Sequence, residues 1–187
     1  MVAGEEQQRL LVGHCVVESV NTWAEFARGY YLSSVYGARD VTGARVTTVL
    51  GPGVSEPLAI DTLMQSVRPS QWTRSPGGPW KRRDEPPWHE PPTLLKGLEG
   101  SGASNIDKVR AAFAIDADAF QDLPPCRNFF AHRGRYTAWG VRSVLMRYGI
   151  TGEMHPADAV RRAALARPQP VLADWLDEIG TVISLMA

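Results

Sequence analysis

Cysteine is scarce in this chain of 187 residues, which contains only Cys15 and Cys126. Two cysteines are too few for the disulfide framework of a small secreted domain, and their spacing fits no zinc motif. Long apolar runs are missing as well, because charged side chains interrupt each one before the roughly 18 residues of a membrane span. We therefore expect a reduced cytoplasmic protein with no signal peptide, metal, cofactor or membrane segment.

The chain also has no net charge, because 20 Lys and Arg residues balance 20 Asp and Glu residues. This balance excludes attraction of the whole molecule to nucleic acid or to a membrane surface. One segment departs from it, since no acidic residue occurs between Asp122 and Glu153. The same segment contains Arg127, Arg133, Arg135, Arg142 and Arg147. We predict a local positive surface here, suited to a polyanion or to an acidic partner surface.

Apolar residues recur every three or four positions along most of the chain, which is the period of an amphipathic helix. The longest predicted helix covers residues 5–36 and ends at Gly37, because glycine tolerates the left-handed conformation found at helix ends. A second long helix is predicted over 125–148. Shorter helices are predicted over 55–67, 104–113, 156–167 and 170–185. The pattern predicts an all-α bundle of five to six helices, forming a single domain over residues 1–187.

Residues 69–92 break this pattern with seven of the 14 prolines and three of the six tryptophans. Proline fixes φ and lacks an amide donor, so we predict an extended Pro/Trp-rich loop inserted into the bundle. A disordered linker would lack tryptophan, and we therefore expect Trp80 and Trp88 to pin the loop onto the helices. We interpret its basic run Lys81–Arg83 as a solvated face in preference to an RNA contact.

The start of the predicted 125–148 helix contains the first candidate site residue. The residue before a proline is biased away from helical conformations, so Pro124-Pro125 predicts a helix that begins at Pro125 with Arg127 in its first turn. Unpaired backbone N–H groups make a helix start positive, and an arginine is unfavourable there unless an anion binds nearby. A phosphate would satisfy both the helix end and the guanidinium of Arg127.

Asn128 and His132 are four residues apart and share one helical stripe, so the amide can orient the imidazole. Histidine suits proton transfer near neutral pH, and arginine suits the charge of a phosphate. RNA supplies its own nucleophile, the 2′-hydroxyl, so this pair could cleave RNA without a metal. On spacing alone, however, an arginine and a histidine on a helix are more often ordinary surface residues. Phosphate-loop, serine-hydrolase and kinase signatures do not occur.

The run Arg127-Asn-Phe-Phe-Ala-His132 resembles the motif of the HEPN superfamily, in which a polar residue commonly follows the arginine and a histidine comes a few residues later. Residues 23–34 also resemble the first helix of bacterial HEPN proteins of the toxin or phage-defence kind. The resemblance covers about residues 5–185, with the Pro/Trp-rich loop as an insertion. It implies an all-α bundle that forms a homodimer and brings two Arg/His pairs into one cleft.

The same resemblance implies a metal-independent endoribonuclease of a toxin–antitoxin or antiviral defence system, with a possible antitoxin or defence partner protein. Arg127 would hold the scissile phosphate of RNA, His132 would move protons, and Asn128 would orient the site. Arg133 and Arg135 would bind the RNA.

One departure from the family concerns regulation. Related toxins often carry, two residues after the histidine, a tyrosine that a nucleotidyltransferase antitoxin modifies. Gly134 occupies that position here, and the nearest tyrosine is Tyr136. This argues against regulation of that kind. The alternative function is a non-catalytic module of the same fold that binds RNA, a nucleotide or a protein partner.

Overall fold

A computed structural model describes residues 3–165 and 167–187, and in these ranges every regular element is a helix. The α-helices are α1 (Ala3–Val35), α2 (Glu56–Val67), α3 (Pro69–Arg74), α4 (Pro91–Gly100), α5 (Ile106–Phe113), α6 (Ala119–His132), α7 (Arg135–Arg147), α8 (Pro156–Val160) and α9 (Val171–Met186). The described ranges contain two isolated β-bridges and no strand, which confirms the predicted all-α class. None of these helices has both the length and the hydropathy to cross a membrane.

The number of helices differs from the predicted five to six, because nine α-helices occur in the described ranges. One cause is that the predicted helix over 125–148 is two helices, α6 and α7. Another is that the Pro/Trp-rich loop contains α3. The long first helix is confirmed, and Gly37 follows it with a φ of 76°, in the left-handed region that favours glycine.

Two compact units make up the described chain. Unit 1 comprises residues 3–22 and 117–181, and unit 2 comprises residues 23–116 and 182–187. The core of unit 2 contains Trp23, Ala27 and Tyr31, which are buried on one stripe of α1 because they are four residues apart. Gly97 of α4 permits close packing on α2, since a Cβ there would lie 2.6 Å from a methyl carbon of Leu63.

The Pro/Trp-rich segment 69–92 is helical at Pro69–Arg74 and from Pro91 onward, so the prediction of an extended loop is wrong for those residues. Helix α3 and α4 each begin at a proline, a position where the missing N–H costs nothing because it has no partner within the helix. The pinning by tryptophan is confirmed. Trp88 is buried, and the Trp80 indole donates to Asp61 Oδ1 of α2 at 2.9 Å. Asp61 Oδ1 also accepts from the Trp72 indole at 3.0 Å.

In unit 1, a short break in the helical structure at Arg133 and Gly134 separates α6 from α7. Arg133 has a φ of 37° and is the one non-glycine residue with a positive φ in the described ranges. Its N–H donates to the Phe129 carbonyl at 2.7 Å and closes α6. The N–H of Gly134 then donates to Thr137 Oγ1 at 3.0 Å, at the start of α7. This turn places His132 last in α6 and Arg135 first in α7.

Candidate functional site

Arg127 lies in the interior of α6, and the prediction that it occupies the first turn of its helix is wrong. Helix α6 begins at Ala119, whose N–H donates to Glu178 Oε2 at 2.8 Å. Pro124 and Pro125 lie inside the helix, where each removes one backbone hydrogen bond without ending it. The unpaired N–H groups of the helix start are therefore remote from Arg127. Any attraction of Arg127 for phosphate must come from its own guanidinium, which is half-buried.

Asn128 contacts Arg127, whereas the sequence predicted that it would orient His132. The Nη1 group of Arg127 donates to Asn128 Oδ1 in a long hydrogen bond of 3.4 Å. Among the described residues, no hydrogen bond joins Asn128 to His132, although both side chains are exposed. Asn128 can therefore position the guanidinium, while the imidazole is oriented only by its place on the helix.

The end of α6 gathers three of the predicted site residues. His132, Arg133 and Arg135 follow one another across the break between α6 and α7, and all three are exposed. Within the described part of the chain, the His132 side chain has no hydrogen-bond or ion-pair partner. The imidazole is therefore accessible to an external ligand, and two exposed arginines follow it within three residues of the sequence.

Phe129 and Phe130, the two phenylalanines of the motif, pack α6 against other parts of unit 1. Phe130 packs directly on Gly13 of α1, where a Cβ atom would lie only 2.7 Å from its Cδ1. The Phe129 ring packs edge-on against the His155 ring, with 6.1 Å between centroids. Because these rings face the protein, they fix the helical face of their neighbours Asn128 and His132, which stay exposed. The phenylalanines are thus structural parts of the motif.

The predicted positive surface divides into paired and unpaired arginines. Arg147 of α7 pairs with Asp122, a carboxylate that is 1% exposed. Asp122 also accepts from the Tyr148 hydroxyl at 2.7 Å, and that hydroxyl accepts from the Trp175 indole at 2.8 Å. Arg147 is therefore part of the packing of unit 1. The other four have no carboxylate partner in the ranges that the structure describes: Arg127, Arg133, Arg135 and Arg142.

A cleft of about 1190 Å³ lies in unit 1, between α7, the residues before α8 and the start of α1. Of the predicted site residues, only Arg135 lines it; Arg127, Asn128 and His132 do not. Tyr136 and Trp139 line it too, and they are 86% and 69% exposed. Neither aromatic residue is among the site residues predicted from the sequence, although two arginines, one and three residues away, flank them in 135–142 and could have indicated them.

His155 lies in the same cleft but has a structural role. Its Nδ1 accepts the Ala157 N–H at 3.2 Å and caps α8. Burial lowers the pKa of His155, and the positive charges of Arg9 and Arg133 lower it further. Both effects favour the neutral imidazole, which is the form that can accept the Ala157 hydrogen bond.

No group of three or more His, Cys, Asp or Glu side chains within residues 3–165 and 167–187 is arranged to hold a metal ion. Comparisons with protein-family models, with curated proteins and with solved structures find no match for this chain. The HEPN resemblance of residues 127–132 therefore stays a prediction from the sequence.

Proposed function

We propose that the chain is a HEPN-like endoribonuclease of a toxin–antitoxin or antiviral defence system, which works as a homodimer without a metal ion. The observation that carries the proposal is the run of half-buried Arg127 and exposed Asn128 and His132 on α6, followed in the sequence by exposed Arg133 and Arg135. The guanidinium groups of Arg127, Arg133 and Arg135 lack carboxylate partners among the described residues. An external phosphate can therefore bind them without first breaking an ion pair.

The proposed reaction is transesterification within the RNA strand. The 2′-hydroxyl attacks the adjacent phosphorus, a new P–O2′ bond forms and the P–O5′ bond breaks. The 2′-hydroxyl loses a proton and the leaving 5′-oxygen gains one, and His132 is the group that moves protons. Arg127 stabilises the charge that builds up on the phosphate oxygens, and Asn128 positions Arg127. The products are a 2′,3′-cyclic phosphate and a 5′-hydroxyl.

Dimer formation is part of the proposal because Arg127 and His132 do not converge within one helix. Five residues correspond to roughly 140° around an α-helix, so the two side chains lie on different faces of α6. A two-fold axis near α6 would present each residue twice and let Arg127 of one protomer approach His132 of its partner.

The test incubates the purified full-length protein with transfer RNA in EDTA. We expect fragments that end in a 2′,3′-cyclic phosphate, and we expect His132→Ala to cleave about 10²- to 10⁴-fold more slowly, the usual range for loss of a proton-transfer group. The matched control is His14→Ala, since His14 is also an exposed helical histidine of unit 1. Equal cleavage by the His132→Ala variant and the wild type would show that another site does the chemistry.

A second candidate function, a non-catalytic RNA-, nucleotide- or protein-binding module, is favoured by one observation. No described residue hydrogen-bonds to the His132 imidazole, whereas catalytic histidines are commonly oriented by a second group. This reading expects RNA or partner binding that survives the combined substitutions Arg127→Ala and His132→Ala, with no cleavage by the wild type. Binding can be measured by fluorescence anisotropy of a labelled RNA.

A further inference from the structure

Helix α7 exposes large apolar side chains along one stripe. Tyr136, Trp139 and Met146 are 86%, 69% and 59% exposed, and their spacings of three and seven residues place them on one face. The apolar residues on its other side, Val141, Val144 and Leu145, are buried. Packing of α7 within unit 1 therefore does not use the aromatic stripe. Exposed apolar patches of this kind mark binding surfaces.

Two arginines, Arg135 and Arg142, flank the aromatic residues Tyr136 and Trp139 along α7. Arg135, Tyr136, Trp139 and Arg142 all line the cleft of about 1190 Å³. Neither arginine has a carboxylate partner in the part of the chain that the structure describes. Arg9, on the cleft's other wall, donates from Nε to Asp158 Oδ2 at 2.8 Å. Glu153 also lines the cleft, and the positive charge available to a ligand there is that of Arg135 and Arg142 on α7.

This pairing of side chains favours a single nucleic-acid strand over other occupants. An apolar protein surface would strip water from Arg135 and Arg142 without supplying an anion, which is costly. A single strand supplies phosphates for the guanidinium groups and bases that stack on aromatic side chains. A duplex supplies phosphates but keeps its bases stacked on one another. Charge and ring chemistry therefore point to the same ligand.

We propose that this cleft binds single-stranded RNA, with bases stacked on Trp139 and Tyr136 and phosphates held by Arg135 and Arg142. The inference rests on the proposed function for its choice of RNA as the ligand. It adds a substrate-binding surface that the Arg127/His132 motif does not contain. Because Arg135 follows His132 across the short break between α6 and α7, RNA held in the cleft would start next to the imidazole.

The test measures fluorescence anisotropy of a labelled, mixed-sequence RNA on the full-length His132→Ala protein, which removes cleavage from the readout. We expect the single strand to bind about tenfold more weakly when Trp139→Ala is added, and Trp139→Phe to retain binding because the ring still stacks. Arg142→Ala should lower the slope of log affinity against log salt by about 0.7. Arg74→Ala is the matched control, since Arg74 is an exposed helical arginine outside this cleft.

Three results would overturn the inference: unchanged binding by Trp139→Ala, equal affinity for the same RNA annealed to its complement, or self-association that Trp139→Ala abolishes without altering RNA affinity. The last would mean that the α7 face joins two copies of this chain. The inference and the proposed function fail separately. If the wild type binds RNA through Trp139 but does not cleave it, only the proposed nuclease function is contradicted. If the wild type cleaves RNA and Trp139→Ala does not weaken binding, only the proposed RNA-binding cleft is contradicted.

Discussion

Arg28 and Arg82 of unit 2 differ from most arginines of the acid-free segment of unit 1, because they pair with carboxylates of the protein itself. In unit 2, Arg28 donates from Nε to Glu85 Oε2 at 2.8 Å and from Nη2 to Glu56 at 2.7 Å. Arg82 donates to the same Glu85 carboxylate at 2.8 Å. The Trp88 indole adds a further bond to Glu85 at 2.7 Å. These guanidinium groups are used inside the protein, where they satisfy a buried charge.

In unit 1, four of the five arginines between Asp122 and Glu153 have no such carboxylate in the described ranges. The density of basic residues in a sequence is therefore a poor guide to which of them lack a carboxylate partner. The compact run Lys81–Arg83 is the more conspicuous cluster, yet its Arg82 is bound to Glu25 and Glu85. Arg127, Arg133, Arg135 and Arg142 lie in a segment without acidic residues and have no carboxylate partner in the described ranges, whereas Arg147 pairs with Asp122 from outside that segment.

The largest effect is expected from Glu85→Gln, which tests whether the unit 2 arginines are structural. The substitution keeps the shape of the side chain but leaves Arg28 and Arg82 facing a neutral amide at a position only 7% exposed. We expect the free energy of unfolding in urea to fall by about 3 kcal/mol, as for removal of one partner of a buried ion pair. Glu90→Gln, at an exposed glutamate without an ion pair among the described residues, should change it by less than about 0.5 kcal/mol.

The pH dependence of unfolding gives a second readout of the same substitution. Burial by itself would raise the pKa of Glu85, but hydrogen bonds from Arg28 and Trp88 hold it below its ordinary value of 4.5. The stabilisation is therefore present above about pH 4.5 and is lost as the pH falls through the folded-state pKa. Urea titrations between neutral and acid pH should show this loss in the wild type and a smaller one in Glu85→Gln. Parallel curves would mean that Glu85 does not carry the acid sensitivity.

Much of the fold follows from local sequence pattern. The all-α class and the bounds of α1, α2 and α9 agree with the apolar period, because long periodic segments have few alternative ways to bury one face. The prolines were harder to interpret. Pro69 and Pro91 begin helices, and Pro124 and Pro125 lie inside one, so the same residue type starts or interrupts helices according to its tertiary context.

The candidate site was predicted by residue type but not by geometry. The break at Arg133 depends on a left-handed arginine, a conformation that sequence propensity does not favour. That break decides that His132 ends a helix and that Arg135 begins the next. The contact of Asn128 with Arg127 and the aromatic face of α7 also depend on three-dimensional packing. The segment without acidic residues does coincide with the region in which four of five arginines lack a carboxylate partner among the described residues.

A smaller effect is expected from Arg147→Ala. Of the five arginines between Asp122 and Glu153, Arg147 is the one that pairs with a buried carboxylate in the described ranges. Asp122 would keep its bond from Tyr148 but lose the positive charge that balances it. We expect the free energy of unfolding to fall by about 2 kcal/mol, the cost of leaving a buried charged group underpaired. Adding Asp122→Asn should destabilise by less than the sum of the single changes, since both remove the same interaction. Strict additivity would show that the pair does not stabilise unit 1.

The smallest effect on stability is expected from Arg142→Ala, five residues before Arg147 on the same helix. Arg142 is exposed and has no ion-pair partner in the described chain, so its loss breaks no internal ion pair. We expect urea denaturation to show a change of less than about 0.5 kcal/mol in the free energy of unfolding. A loss as large as that of Arg147→Ala would make Arg142 structural and end the contrast between the two kinds of arginine. An unchanged urea midpoint together with weaker RNA binding would show that Arg142 contributes to RNA recognition and not to stability. Stability and RNA affinity would then depend on different arginines of the same helix.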